Sequence, residues 1–208
     1  MKTFRIISGG EIPENEIIRV NSSDIVICAD RGYEYAVRNG IKPHMLIGDF
    51  DSCRLPIPED IDVHRSIPEK DDTDTLMAVR TAIEQGAERI VIYGALGGRL
   101  DHTIANIQTL IYICKNGCSG EIHSAKNIAA VLGTGSHHLP KRDGWYLSIF
   151  SITEETVIKR LSGVKYPLID YRMTTDFPIG VSNEITGSEA QLEISQGLAL
   201  VIRSEMNQ

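Results

Sequence analysis

The 208-residue sequence has no apolar run approaching the roughly 18 residues that a membrane-spanning helix needs, so no membrane segment is expected. It also lacks an excess of positive charge. The 21 Lys and Arg against 28 Asp and Glu leave a formal charge of -7, whereas a nucleic-acid surface would show a basic stripe. Cys28, Cys53, Cys114 and Cys118 form no CxxC pair, which removes the usual zinc and thioredoxin-type readings. Cys28 lies inside an apolar run and reads as a small buried thiol. Neither GxxxxGK[ST] nor GxGxxG occurs, so the chain carries neither a P-loop nor the dinucleotide fingerprint. There is no internal repeat, low-complexity segment or block of like charge. Met1-Lys2-Thr3 passes straight into a strand-like run with no signal-peptide pattern, and a cytoplasmic protein with reduced thiols is expected.

What is present is an alternation of apolar runs and acidic or glycine-rich loops. Phe4 to Ile7, Ile25 to Ala29, Met45 to Ile47 and Arg89 to Tyr93 are near-continuous apolar runs, which suit strands buried on both faces. Between them, Gly32 to Asn39, Thr73 to Gln85 and Asp101 to Lys115 read as helices, each closed near a glycine. This is the βαβ pattern of an open, mostly parallel, Rossmann-like α/β sheet with helices on both faces. Past Ile122 the punctuation changes to short strand-like runs: 127–132, 145–152, 157–161 and 198–203. A small all-β sandwich is expected there, giving two domains, 1–124 and 125–208.

Three acidic clusters fall where strands of the first half end. Met45-Leu46-Ile47 breaks at Gly48 and delivers Asp49 and Asp51, which share a face if the chain stays extended. Asp71 and Asp74 open the second helix, Asp101 opens the third, and Asp30 follows the second strand. Any one of these acids could be a turn residue or a helix cap. Several collecting at one sheet edge suggest a Mg²⁺ site, since magnesium takes oxygen ligands and combines a few carboxylates with water and substrate phosphates. Lys70, Arg99 and the helix N-termini beside them offer positive partners for phosphate. A nucleoside triphosphate arriving as its magnesium complex fits both signs of charge. His102 sits in a first helical turn, where hydrogen bonding or packing is the commoner role. His137 and His138 read as solvated residues of a polar turn.

Gly48-Asp49-Phe50-Asp51-Ser52, Lys70-Asp71-Asp72-Thr73-Asp74, Gly97-Gly98-Arg99-Leu100-Asp101-His102 and Ser182-Asn183-Glu184, in that order and spacing, resemble the thiamine pyrophosphokinases. The resemblance spans nearly the whole chain. It implies transfer of the diphosphoryl group of ATP to the hydroxyl of thiamine, giving thiamine diphosphate and AMP. It further implies Mg²⁺, with Mn²⁺ as the alternative ion, and a homodimer with thiamine between one subunit's α/β half and the other's β half. Carried over by matched position, Asp49, Asp51, Asp74 and Asp101 fall to catalysis and the metal, Asp51 and Asp74 foremost. Lys70, Asp71, Thr73, Arg99 and His102 fall to ATP and its phosphates, and Asp30, at the end of the second strand, is expected to join them. Ser182 and Asn183 fall to thiamine, although read alone that pair is a turn between strands.

Two other readings are open at this level. A haloacid dehalogenase-type phosphohydrolase also uses Asp-x-Asp after a strand, but normally after the first strand and followed by threonine, whereas here Ser52-Cys53-Arg54 follows. A non-catalytic nucleotide sensor would need a partner-binding feature in the β half, and nothing basic, amphipathic or repetitive supplies one.

Overall fold

The computed structural model describes residues 1–14, 16–65 and 72–206. The chain divides into two compact units, Met1–Ala125 and Lys126–Gln208. No helix among the described residues is long and apolar enough to cross a membrane.

The first unit follows the order β1 (Thr3–Ile7), β2 (Ile25–Ala29), α1 (Gly32–Arg38), β3 (Met45–Gly48), β4 (Asp62–Arg65), α2 (Asp74–Glu84), β5 (Arg89–Tyr93), α3 (Leu100–Lys115) and β6 (Ser119–His123). Its strands lie in the order β4-β3-β2-β1-β5-β6 and every pairing is parallel. The apolar runs explain this, because both faces are buried. Ile7, Val26, Cys28, Leu46, Val91 and Tyr93 pack with Tyr33, Tyr35 and Ala36 of α1. The alternate residues Ile6, Ile27, Ile47, Ile90 and Ile92 are fully buried on the other face. There α2 and α3 bury Ala78, Val79, Ala82, Leu110 and Ile113. Beside β1 a buried ion pair, Arg5 Nε to Asp24 Oδ2 at 2.8 Å, fixes the turn that leads into β2.

The second unit is built from antiparallel strands: β7 (Asn127–Leu132), β8 (Gly135–Pro140), β9 (Trp145–Ser151), β10 (Glu155–Ser162), β11 (Leu168–Thr174), β12 (Glu189–Gln196) and β13 (Ala199–Glu205). β13 lies between β7 and β9, and a second layer runs β11-β10-β12-β8. Leu147, Ile149, Ile158, Leu161, Leu192, Ile194 and Val201 fill the space between the layers. This is the β sandwich expected from the change in punctuation. His137 and His138, expected in a turn, are instead in strand β8, opposite Leu192 and Gln191. The segment lacks β-branched residues, and what makes it a strand is its pairing with β12, more than fifty positions away. The two rings diverge, as adjacent residues of a strand must. His137 Nε2 donates to the Gly133 carbonyl at 2.8 Å and His138 Nδ1 meets Glu189 Oε1 at 2.9 Å.

The β5–β6 pairing is reinforced by Glu121, whose Oε2 meets Arg89 Nη2 at 2.7 Å and His123 Nε2 at 3.0 Å. Burial alone would push this carboxyl up, but the bonds from His123 and Arg89 outweigh it and hold it at about 2, against an ordinary 4.5. A depressed carboxyl contributes stability that is complete above its unfolded value and is lost as pH falls through its folded value. Between pH 4.5 and 2 the first unit is therefore expected to lose stability through this group, and Glu121→Gln should flatten that part of a denaturant-midpoint profile against pH.

Candidate active site

The strand order places a reversal between β1 and β5, because the chain leaves β1 toward β2 and returns to β5 on the other side. In open α/β sheets the crevice beyond the carboxyl ends at such a point receives ligands. Here the loops after β1 and β5 touch backbone to backbone. Gly10 N donates to Gly94 O at 3.0 Å, and a Cβ on Gly10 would lie only 2.3 Å from that oxygen. Gly94 has φ +68°, and a Cβ there would lie 2.5 Å from Ser8 O. Neither position has room for a side chain. Beyond these loops opens a cavity of about 480 Å³.

Acidic side chains reach the cavity from several elements. Asp30 ends β2 with φ +50°, an unusual conformation for a residue other than glycine. Its Oδ2 accepts from Ser52 Oγ at 2.6 Å, while its Oδ1 is buried with no hydrogen-bond partner among the described residues. Asp49 follows β3 and lines the same space, and its Oδ1 accepts the Asp51 N–H at 3.0 Å. Asp51 itself does not line the cavity. The reason lies between them: Phe50 is only 7% exposed and has φ +62°, so the chain is not extended there and residues two apart need not share a face. Asp72, Thr73, Asp74 and Thr75 line the wall at the start of α2. Thr73 caps that helix by accepting the Leu76 N–H at 3.2 Å, and Asp72 pairs with Arg80 at 2.7 Å.

The loop after β5 supplies Gly97, Gly98 and Arg99, and α3 supplies His102 and Asn106. Arg99 is the cationic lysine or arginine of the lining among the described residues. Its guanidinium grips Asp101 through Nε at 3.1 Å and Nη2 at 2.5 Å, with both side chains well exposed. That bond from Arg99 lowers the Asp101 carboxyl below its ordinary range. Asp101 lies outside the lining and is engaged with Arg99. Lys70 and Asp71 lie outside the described residues.

Ser182 and Asn183 belong to the second unit. Ser182 has φ +59°, and its N–H donates to Ser148 Oγ at 3.1 Å. The Asn183 amide accepts from Tyr166 N and donates to Tyr166 O, imitating a strand pairing.

Sequence reasoning thus singled out Asp30, Asp49, Thr73, Asp74, Arg99 and His102 among the lining. It missed Ser8, Gly10, Glu11, Asp72, Thr75 and Asn106. Of these Gly10 left a signal as half of a Gly-Gly loop after a strand, and Asp72 as a member of the acidic motif before α2, to which no role was assigned. The lining donors are dominated by hard carboxylate oxygens, and Asp30 Oδ1 is a buried acceptor left without a donor, which fits a hard divalent cation such as Mg²⁺. Among the described residues no three of His, Cys, Asp or Glu form a ready-made ligand cluster.

The profile of the thiamin pyrophosphokinase catalytic domain matches residues 19–121, and that of the thiamin pyrophosphokinase vitamin B1 binding domain matches 136–199. Thiamine pyrophosphokinase from Bacillus subtilis is 30% identical over 98% of this chain and 99% of its own. The chain belongs to the thiamine pyrophosphokinase family. The crystal structure of the Bacillus subtilis thiamine pyrophosphokinase superposes with a TM-score of 0.88 at 28% identity, covering both chains completely. That of the Geobacillus thermodenitrificans thiamin pyrophosphokinase gives 0.85 at 28% identity over 99% of each chain. Yeast thiamin pyrophosphokinase, at 15% identity, shares the fold with a TM-score of 0.72 over 99% of this chain and 86% of its own. The family's catalytic profile falls within the first unit, which holds the acidic cavity, and its vitamin B1 profile within the second.

The Arg99 to Asp101 pair gives a direct check on the local electrostatics beside the cavity. In a carbon-detected NMR titration Asp101 should titrate below the ordinary aspartate midpoint of about 3.9, and Arg99→Ala should return it toward that value.

Proposed function

We propose that this protein transfers the diphosphoryl group of ATP to the hydroxyl of thiamine, forming thiamine diphosphate and AMP in a Mg²⁺-dependent reaction. The observation that carries the reading is the convergence of Asp30, Asp49 and Asp74, from two loops and the first residue of α2, with Arg99 on one cavity at the strand-order reversal. Family membership supports both substrates, and the vitamin B1 profile over 136–199 supports thiamine as the acceptor.

Transfer of this kind asks the protein to align the attacking and leaving oxygens and to stabilise spreading negative charge. Mg²⁺, when bound, would neutralise part of the polyphosphate charge, and Asp49 and Asp74 are the lining residues that would hold it, with Asp51 and Asp101 assigned beside them. The chain's own contribution is positional. Thr73 caps α2 by accepting the Leu76 N–H, and the positive end of the helix dipole beside it suits an anionic phosphate oxygen. Arg99, held in line by Asp101, presents a delocalised cation to the same space. His102 and Asp30 complete the assignment on the ATP side, as would Lys70 and Asp71. Ser182 and Asn183 are assigned to thiamine, and the homodimer with thiamine at the subunit interface belongs to the same reading.

Incubating the purified protein with ATP, Mg²⁺ and thiamine should yield AMP and thiamine diphosphate in equal amounts; ADP as the nucleotide product would refute diphosphoryl transfer. Asp74→Asn should lower kcat by about 10²-fold or more while leaving the thermal midpoint near that of the parent. Near-parental turnover in that variant would remove Asp74 from the assignment.

A further inference from the structure

Ser8 ends β1 at the floor of the cavity and is only 2% exposed. Its hydroxyl accepts a hydrogen bond from Thr75 Oγ1 at 2.9 Å, joining the end of the central strand to the first turn of α2 across 67 positions of sequence. A serine hydroxyl carries one proton and two lone pairs. Thr75 engages a lone pair, and the Ser8 proton has no acceptor among the described residues. A buried donor left unmet costs more than an ordinary hydrogen bond returns, so its retention beside a cavity calls for an acceptor that arrives with a ligand.

We infer that Ser8 is a substrate-binding residue that donates its hydroxyl proton to an anionic oxygen of the ATP polyphosphate, with Thr75 as the positioning residue that fixes its orientation. The inference rests on the diphosphotransferase reading and adds to it a contact from β1. The character of the acceptor follows from the surroundings. Ser8 stands next to the N-terminal turn of α2, whose leading N–H groups and positive dipole end face the lining, and Arg99 adds a cation across the same cavity. Among the described residues the hydrogen bond of the Ser8 hydroxyl is the one it accepts from Thr75. An acceptor of higher charge density, carried in by the ligand, satisfies the hydroxyl. Thr75 acts only through Ser8: by donating to Ser8 Oγ it occupies the lone pair and leaves the proton directed elsewhere, and it polarises that O–H in the manner of a short hydrogen-bonded chain.

The test is a double-mutant cycle on nucleotide binding. Ser8→Ala, Thr75→Val and the double variant are titrated calorimetrically with α,β-methylene-ATP and Mg²⁺ in the absence of thiamine, with KM for thiamine and the thermal midpoint measured alongside. Loss of a hydrogen bond to a charged oxygen should raise the analogue Kd of Ser8→Ala about tenfold. Thr75→Val should give a smaller rise in the same direction, and the double variant should be no worse than Ser8→Ala, since the two hydroxyls act as one unit. KM for thiamine should stay within about twofold in all three. Additive effects, or a thiamine KM that rises while analogue binding is unchanged, would overturn the assignment. Parental analogue affinity in Ser8→Ala, beside AMP formation by the parent enzyme, also overturns it and leaves the diphosphotransferase reading standing. Failure of the parent enzyme to form AMP removes that reading and the assignment together.

Discussion

The constraint on which the rest depends is the direct backbone approach of the β1 and β5 loops. Gly10 and Gly94 touch with no side chain between them, so the loops that leave β1 and β5 in opposite directions are pinned at their root. A methyl group at either glycine would collide with a carbonyl oxygen and spread the two strands at the point where the strand order reverses. Pinning the root leaves the outer parts of the loops to diverge, and the space between them is the cavity. Asn106 holds the far side of the same arrangement. It is 7% exposed, and its Nδ2 donates to Ala95 O at 2.8 Å, tying the loop after β5 to the second turn of α3.

Around that fixed root the acidic loops are held by strain and by hydrogen bonds. Asp30 and Phe50 both adopt positive φ, and Gly48 has φ +139°, lying so close to Asp30 that a Cβ would be 3.1 Å from the Asp30 nitrogen. At the two non-glycine positions such a conformation costs roughly 1–3 kcal/mol each and persists only where the surroundings over-determine it. Two interactions supply that here: Phe50 is sunk in the core beside Tyr33, and Ser52 bonds Asp30 back across the loop. The result is an arrangement of Asp30 and Asp49 that a relaxed turn would not give.

Much of this was legible in the sequence, and the reasons differ from element to element. β1, β2, β3 and β5 declare themselves because a strand buried on both faces must be apolar throughout. The helices α2 and α3 declare themselves through their apolar spacing and terminal glycines. β8, β11 and β12 do not: Gly135-Ser136-His137-His138 and Leu168-Ile169-Asp170-Tyr171 carry polar residues on an exposed face, and only their partners in β12 and β10 make strands of them. Asp49 was legible as an acid after a buried strand, and Asp74 as an acid at a helix start. That Asp49 lines the cavity while Asp51 does not was illegible, because it turns on the φ of Phe50, which the core sets. Ser8 and Asn106 were illegible for a related reason. Each acts through one bond to a residue that only folding brings near, and a serine after an apolar run has no local pattern to mark it.

The balance of charge explains why the cavity holds so few cations. Glu11, Asp30, Asp49, Asp72 and Asp74 line it against Arg99, and Asp72 is already paired with Arg80 while Arg99 is already paired with Asp101. A free polyphosphate would meet a net negative wall and be repelled. On the proposed reading, the same polyanion carrying a divalent cation would present both signs, with the lining carboxylates holding the cation and Arg99 and the hydroxyl donors holding phosphate oxygens. Because Arg99 is paired with Asp101, a phosphate bound there would compete with that carboxylate for the guanidinium. On the proposed reading, a site built this way would tie nucleotide recognition to the metal complex through its own acidity, without a P-loop.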